Sequence, residues 1–365
     1  DLIDMACLLC GSYPVIRETE HFFLKLSSFE EQLLSWVKSQ NHWRPNVRNF
    51  SVGYMEGGLQ DRAITRDIEW GVPVPLKGYD GKRIYVWFEA VIGYLSASIE
   101  WSKNIGNDSQ WRKFWQENCK SYYFMGKDNI PFHTIIWPAM LTGYENLNLP
   151  YDIPANEYLN LQDQKVSTSR NWAVWLPDYL NRYAPDPLRY VLTTNMPETS
   201  DSNFSWHEYV RANNDELVAT YGNLVHRVLT MSYRNFDGRV PQAGTLDVPS
   251  QKLLEEAAAK FDEVGKQIEA CRFRAGLSAA RELAQATNRY LDQKAPWNSI
   301  RTDRKEASTT LWCSLSIINC LKISLYPFLP FSAQRIHNML GLKGRIEDQE
   351  WTWDSNMVKP GSNLP

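Results

Sequence analysis

The sequence lacks several features that would each assign it to a class of protein. It begins with Asp rather than Met, and no basic segment followed by an apolar one opens it, so no secretory leader is recognisable. No uninterrupted run of about 18 apolar residues occurs, because the best candidate, 312–331, contains Lys322, Pro327 and Pro330. We therefore expect a soluble chain, and the Asp at position 1 suggests that an upstream segment is missing.

An excess of charge of one sign is also missing, since the sequence has 39 Lys and Arg and 42 Asp and Glu, for a net charge of −3. That balance excludes a wholly basic nucleic-acid binder but leaves room for a local basic groove. The length of 365 residues favours two or three domains. The 43% of hydrophobic residues excludes global disorder, and the 15 tryptophans require large cores, an aromatic ligand pocket, or both.

Cysteine is scarce, and six in a chain of this length exclude a disulfide framework. Four isolated ones are predicted to be buried thiols in a reducing compartment: Cys119, Cys271, Cys313 and Cys320. Cys7 and Cys10 differ, because two cysteines three positions apart and followed by Gly11 form a turn that presents two thiolates to one zinc ion. A structural zinc needs four ligands and no second pair lies nearby, so a half-site and an ordinary loop both remain open.

Apolar periodicity divides the chain into an α/β half and a helical half. Helices are predicted from Ser28 and over 46–58, and strands at 84–88 and 121–125 each lead into a helix, as in an α/β layer with a parallel sheet. Asp186 is predicted to cap a helix that has Pro187 at its first position. Beyond Ser205 the predicted helices form an all-α bundle and cover about 208–235, 250–270, 273–293, 306–326 and 332–340.

Two aromatic faces are predicted, each just past the end of a strand. At i, i+4 and i+8 of one helix lie Asn129, His133 and Trp137. At i, i+3, i+4 and i+7 of the other lie Trp87, Ala90, Val91 and Tyr94. Since α/β sheets bind ligands where parallel strands end, the faces could form one apolar pocket. A thioether would suit it, because sulfur packs favourably on aromatic rings; ordinary core packing is the alternative.

Two polar segments have the chemistry to bind phosphate. Gly126, Lys127 and Asp128 stand between a strand and a helix N-terminus, where unpaired amides and the helix dipole favour an anion. The second segment interleaves cations with hydroxyls, as a flexible clamp for polyphosphate would: Lys165, Ser167, Thr168, Ser169 and Arg170. A capped helix and a solvated Ser/Thr turn are the respective alternatives.

The helical half carries one further constellation. Asn223 and Arg227 lie at i and i+4 on one helix face, and Pro296-Trp297 follows another helix that contains Arg289. A presented indole beside Arg and Asn side chains suits the stacking and edge-reading of single-stranded bases. A core tryptophan after a loop proline is the alternative.

Taken together and in this order, these segments resemble the methionyl-tRNA synthetase family of class I aminoacyl-tRNA synthetases. The match rests on ordered local patterns spread over nearly the whole chain. They lie at 17–23 (RETEHFF), 58–67 (GLQDRAITRD), 85–90 with Gly93 and Tyr94, 124–133 (FMGKDNIPFH), 165–170, 186–190 (DPLRY) and 295–297 (APW).

The resemblance implies an α/β fold followed by an all-α one: the C-terminal half of a Rossmann-type nucleotide fold, a small stem-contact unit and an anticodon-binding helix bundle. The implied boundaries are 1–27 for the end of a zinc-knuckle insertion and 28–155 for the second half of the Rossmann-type domain. The phosphate loop and stem-contact unit would take 156–205, the anticodon-binding bundle 206–345 and a tail 346–365.

The resemblance also implies the reaction, which is activation of methionine by ATP, with Mg²⁺, to methionyl-adenylate, and transfer to the 3′ end of tRNA(Met) in the cytoplasm. No enzyme nucleophile is needed, so the enzyme would act by positioning and by stabilising phosphate charge. The implied methionine-binding residues are Trp87, Ala90, Val91, Tyr94, Asn129, His133 and Trp137. Those for ATP and adenylate are Arg66, Gly126, Lys127, Asp128, Lys165 and Thr168.

Three further groups of residues take their roles from the family. Its catalytic Lys-Met-Ser-Lys-Ser loop corresponds to Lys165, Ser167, Thr168 and Ser169, with Arg170 following. Residues matching the positions that read the methionine anticodon are Asn223, Arg227, Pro296 and Trp297. Cys7 and Cys10 match one cysteine pair of the zinc knuckle, which is half of a ligand set.

Three departures from the family pattern bear on activity. The family's His-x-Gly-His signature and the first half of its nucleotide fold are absent from this sequence, so we expect an N-terminally truncated chain that does not form adenylate alone. Thr168 replaces the loop's second Lys, a loss that Arg170 partly offsets. Val91 and Asn129 stand where some members have Pro and Ile, which affects the fine shape of the pocket.

Two other functions compete with this interpretation. The first is a class I synthetase for another apolar amino acid, although the large editing insertion of such enzymes is not seen between the strands. The second is a non-catalytic tRNA-binding module built on residues 206–340. The oligomeric state is left open by the sequence.

Overall fold

The computed structural model describes residues 5–6, 11–144 and 147–365, and the chain divides into two compact units, Asp1–Ala155 and Asn156–Pro365. Strands of the first unit are β1 (Phe23–Leu24), β2 (Arg62–Ala63), β3 (Thr65–Arg66), β4 (Arg83–Ile84) and β5 (Met125–Gly126), with β6 (Ala155–Asn156) at the boundary. Its helices are α1 (Glu30–Ser39), α2 (Pro45–Glu56), α3 (Val86–Glu89), α4 (Gly93–Asn104), α5 (Arg112–Trp115) and α6 (Trp137–Tyr144). A π-helical turn, Phe132–Ile136, leads into α6.

The core of the first unit is formed by helix faces rather than by a broad sheet. Leu33 and Val37 are one turn apart on α1 and are both buried, as apolar residues at i and i+4 of an amphipathic helix are. Helix α2 begins at Pro45, since a first-turn proline needs no amide partner. Its Val47 and Met55 are fully buried in the same cluster, which also takes in Trp137 from α6.

The strand predictions for this unit are wrong in extent. Strand β4 ends at Ile84 and helix α3 begins at Val86, so the expected strand 84–88 is a strand–helix junction. The side chain of Trp87 is 50% exposed, which explains why the apolar run does not behave as a buried strand. β1 pairs antiparallel with β2 and β3 with β4, whereas Tyr122 forms a parallel bridge with Asp152.

The second unit opens with a small sheet and continues as helices. In that sheet β7 (Leu159–Leu161) pairs antiparallel with β8 (Gln164–Lys165) and parallel with β9 (Ser202–Phe204). The first helices are α7 (Leu176–Leu180), α8 (Pro185–Thr194), α9 (Trp206–Arg211), a π-helical segment Ala212–Gly222, and α10 (Asn223–Asn235). There follow α11 (Val248–Glu269), α12 (Phe273–Lys294), α13 (Pro296–Thr302), α14 (Arg304–Leu325) and α15 (Pro330–Met339).

Helix α14 is the centre of the second unit, because every residue from Ala307 to Leu325 is buried. It packs against α10, α11, α12, α13 and α15. The C-terminal segment also crosses it, where the indole of Trp312 donates to the Val358 carbonyl at 3.1 Å. Among the described residues no helix combines the length and apolar character needed to cross a membrane.

Asp186 does not cap its own helix, which corrects one expectation. Helix α8 already begins at Pro185, and Asp186 lies inside it with its side chain buried. Its carboxylate instead accepts a 2.6 Å hydrogen bond from the backbone amide of Ser332, in the first turn of α15. The carboxylate therefore ties α8 to the N-terminus of a helix almost 150 residues later.

A buried cation lies between α14 and α15. The Lys322 side chain is fully buried, with its Nζ 3.1 Å from Nδ1 of His337 and 3.4 Å from Oε1 of Gln349. Burial lowers the pKa of Lys322 to about 8, because the charged form is desolvated in the bundle.

The variant Lys322→Met tests this desolvation through the pH dependence of unfolding. Lys322 binds its proton more tightly in the unfolded chain than in the folded one. The free-energy penalty of burying the charged ammonium is therefore complete below about pH 8 and vanishes above about pH 10.5. The free energy of unfolding of the parent, measured relative to Lys322→Met, should rise by about 3 kcal/mol across that window. Denaturant titrations at several pH values would measure it.

Lys260→Met is the matched control, because Lys260 is paired with Glu282 and Glu263, which raise the pKa of its ammonium. The stabilising contribution of the Lys260 ion pairs should persist between about pH 8 and pH 10.5 and fall at higher pH. A flat difference between the parent and Lys322→Met would contradict the desolvated lysine.

Candidate functional site

The structure brings one predicted aromatic face together with Tyr94 of the other. Nδ1 of His133 lies 2.9 Å from the backbone carbonyl of Asn129, and Nε2 lies 2.9 Å from the hydroxyl of Tyr94. A carbonyl can only accept, so Nδ1 carries the proton and Nε2 accepts from Tyr94. Burial lowers the pKa of His133, so the imidazole is neutral at pH 7.

The indole of Trp137 belongs to the same aromatic cluster as His133 and Tyr94. Its Nε1 donates to the Tyr123 hydroxyl at 3.1 Å, and the ring of Trp115 meets it edge-on at 5.8 Å between centroids. The ring of Tyr94 lies 5.2 Å from that of Tyr123 and 6.3 Å from that of Trp137. Aromatic rings in such offset and edge-on contacts surround an apolar ligand well.

The remaining predicted residues of the pocket occupy different positions. Trp87 packs on Phe132, the residue that precedes His133 in the chain, with ring centroids 5.7 Å apart. Val91 is buried in the core, and Ala90 is exposed at the surface. Asn129 contributes its backbone carbonyl to His133. Sequence reasoning did not select Tyr123, although its place in an aromatic segment before Gly126 was a usable signal.

The first polar segment forms a tight turn at the end of β5. Gly126 is exposed, and Lys127–Asn129 is a single 3₁₀ turn that leads into the helix of His133. Arg66 lies in the same unit, where its guanidinium stacks 4.1 Å above the Tyr85 ring and donates to the Thr65 carbonyl at 2.7 Å. Arg66 and Tyr85 help to line a cavity of about 330 Å³.

The second polar segment is the tip of a hairpin in the second unit. The backbones of Ser167 and Trp172 exchange two hydrogen bonds of 2.9 Å, which leaves residues 168–171 as the connecting turn. The hydroxyls of Ser167 and Ser169 are 3.2 Å apart, and the Lys165 ammonium lies 5.0 Å from the Tyr158 ring centre. These side chains present hydroxyls and a cation along an exposed hairpin, as an oxyanion clamp requires.

The Asn–Arg–Trp constellation is assembled in the second unit. The guanidinium of Arg227 lies 5.0 Å from the Trp297 ring centre and donates to Asp292 at 3.0 Å. Ala295 adopts a left-handed conformation with φ of 38°, and Pro296 then starts α13. This sharp turn leaves the indole of Trp297 42% exposed.

A cavity of about 380 Å³ opens beside this constellation, between the π-helical segment, α10 and α12. Residues of α12 that line it, spaced i, i+3, i+4 and i+7, are Gln285, Asn288, Arg289 and Asp292. The Asn288 amide donates to the Thr220 carbonyl at 3.0 Å, while its buried Oδ1 has no protein partner. Sequence reasoning named Arg289 with this constellation but did not assign Gln285, Asn288 or Asp292 to a site, although their spacing on one helix face was available.

The proposed zinc ligands Cys7 and Cys10 lie outside the residues that the structure describes. Within the described residues no cluster of three or more His, Cys, Asp or Glu side chains is arranged to hold a metal ion.

Comparison with known proteins gives consistent matches over both units. The family model "tRNA synthetases class I (M)" matches residues 1–229, and "Anticodon binding domain of methionyl tRNA ligase" matches residues 240–363. The chain is 54% identical to the methionine–tRNA ligase of Thermomicrobium roseum, over 95% of this chain and 60% of that protein. It is 56% identical to that of Dehalococcoides mccartyi, over 96% and 64%.

A solved structure gives the same result at the level of the fold. The methionyl-tRNA synthetase of Mycobacterium tuberculosis bound by methionyl-adenylate matches with a TM-score of 0.87 and 26% identity, over 99% of this chain and 70% of that one. The chain thus spans about 60–64% of the length of the curated relatives named above.

The pH dependence of stability tests the environment of His133. Because its folded-state pKa is depressed below 6.5, the unfolded chain binds the proton first, and the stability difference from His133→Gln should shrink as pH falls from 7 to 5. Thermal unfolding of both proteins over that range measures this. His207→Gln is the control, since that side chain is 87% exposed, and an equal pH response of the two variants would contradict a desolvated His133.

Proposed function

Because the chain belongs to the methionyl-tRNA synthetase family of class I synthetases, we propose that it forms the greater part of a methionine–tRNA ligase. The reaction joins methionine to the α-phosphate of ATP, releases pyrophosphate, and transfers the methionyl group to the 3′ end of tRNA(Met). The observation that carries the proposal is the neutral His133, hydrogen-bonded to Tyr94 and framed by aromatic rings.

Methionine side-chain recognition is assigned to that aromatic pocket. A thioether has a polarisable sulfur that gains about 0.3–1.5 kcal/mol against an aromatic ring. Tyr94, His133 and Trp137 surround the pocket, and Trp87 on Phe132 supplies a further ring. The neutral imidazole adds no net charge to the pocket. A net charge there would be unfavourable beside an uncharged apolar side chain. Val91 would act from the core behind the pocket, and Ala90 and Asn129 would shape its edge.

Phosphate binding is assigned to two sets of residues. Arg66, Gly126, Lys127 and Asp128 would hold ATP and the adenylate, with Mg²⁺ entering as part of the nucleotide complex. Lys165, Ser167, Thr168, Ser169 and Arg170 would form the clamp for the leaving pyrophosphate, on their exposed hairpin turn. No side chain needs to attack the substrate, so these groups would contribute orientation and charge stabilisation.

Anticodon recognition is assigned to Asn223, Arg227, Pro296 and Trp297. The indole face offers a stacking platform, and the amide and guanidinium can donate to base edges.

The domain boundaries that accompany these roles are 28–155, 156–205 and 206–345, with 1–27 and 346–365 at the ends. Cys7 and Cys10 would supply two of four zinc ligands, and we place the protein in the cytoplasm, with translation.

Amino-acid-dependent exchange of pyrophosphate into ATP tests the enzyme. The protein encoded by the complete reading frame should give a signal with methionine and not with leucine, isoleucine or valine. His133→Ala should raise KM for methionine at least about tenfold, because the donor–acceptor pair with Tyr94 and the packing of the pocket are both lost. A signal with a branched amino acid, or none with methionine, would reject the proposal.

RNA binding tests the other half of the proposal. Trp297→Ala should weaken binding of a hairpin that carries the methionine anticodon by about tenfold or more, since one base–aromatic stack contributes about 1–3 kcal/mol. Fluorescence anisotropy of a labelled hairpin measures this. Trp70→Ala is the control because its indole, in the first unit, is 76% exposed; equal losses in both variants would remove Trp297 from the site.

A further inference from the structure

A stripe of polar residues runs along α10 beyond the proposed anticodon site. Arg234 follows Arg227 by seven residues, which places it about 10 Å further along the helix axis and about 20° around it. Asn223 lies on the same stripe at the start of the helix, and Arg234 is exposed near its end. The stripe therefore continues the Asn223–Arg227 face with a second guanidinium.

Helix α13 lies beside this stripe. At its start, Trp297 contacts Arg227, and just past its end, Arg304 donates to the Asn235 carbonyl and stacks 4.8 Å above the Phe236 ring. The short helix is thus held alongside the C-terminal half of α10. Arg301 is one turn after Trp297 on α13 and is exposed.

Four acidic groups near this surface are already engaged. Asp292 accepts from Arg227, and Asp303 caps α14 by accepting from the amides of Lys305 and Glu306. The side chain of Glu306, with Asp247, pairs with Lys294. Among the residues that the structure describes, neither Arg234 nor Arg301 takes part in an ion pair, so α10 and α13 each present an exposed guanidinium group.

We propose that Arg234 and Arg301 bind the phosphodiester backbone of the RNA arm whose anticodon bases meet Trp297, an inference that rests on the proposed function. Guanidinium groups match phosphate oxygens in charge and in hydrogen-bond geometry. Phosphate contacts position an RNA without reading it, whereas base contacts give specificity. The two arginines would therefore supply affinity and register, and the Asn223–Arg227–Trp297 site the choice of bases.

Salt dependence of RNA binding separates these two roles. The experiment uses the full chain, a hairpin with the methionine anticodon and a second hairpin with a changed anticodon, at 50 to 300 mM salt. The double variant Arg234→Ala/Arg301→Ala should bind both hairpins about ten times more weakly at 100 mM salt. The slope of log K against log salt should be shallower by about 1.4 to 1.8, as the loss of two phosphate contacts requires.

Two controls make the outcome decisive. Lys266→Ala removes one exposed charge from the far end of α11 and should leave the slope unchanged. Arg234→Lys/Arg301→Lys keeps both charges and should restore most of the slope. If the parent prefers the methionine anticodon but the double alanine variant behaves like Lys266→Ala, the backbone contact is rejected while the proposed function stands. If the parent shows no preference between hairpins, both fall.

Discussion

Burial of α14 from Ala307 to Leu325 is the constraint on which the second unit depends. A helix with no solvent-facing side must be covered on all sides, and α10, α11, α12, α13 and α15 supply that cover together with the C-terminal segment. Each covering helix therefore turns one face inward and leaves the other for polar residues. The outward faces of α10 and α12 carry Asn223, Arg227 and the residues of the adjoining cavity, so the proposed RNA site is displayed on a rigid support.

The first unit relies on a different and more local device. The Nδ1 proton of His133 is committed to a backbone carbonyl of its own helical turn, which fixes the ring tautomer and directs Nε2 at Tyr94. His133 lies in the π-helical segment immediately before α6, Trp137 is the first residue of α6, and the Tyr94 ring contacts both. One backbone hydrogen bond thereby defines the polar character of a site that is otherwise formed by aromatic rings.

Sequence patterns predicted the helical half well, because long amphipathic helices have a strong period, and the family matches confirm the order of a class I synthetase domain followed by a helical anticodon-binding domain. They failed over 84–88, where an apolar run marks an exposed strand–helix junction. They also missed α13, whose seven residues are too few to show a period. Tyr123 and Asn288 each carried a local signal, but that signal could not identify their partners, which are distant in sequence; the roles assigned to site residues stay predictions.

The left-handed Ala295 shows where the helix bundle stores conformational strain. An alanine at φ of 38° is disfavoured by roughly 1–2 kcal/mol, and Pro296 fixes the next backbone angle. The indole of Trp297 is therefore oriented when the chain folds, and a ligand that stacks on it does not have to order this turn again. The strained turn costs a small, permanent loss of stability; under the proposed function, it would lower the entropic cost of stacking a base on Trp297.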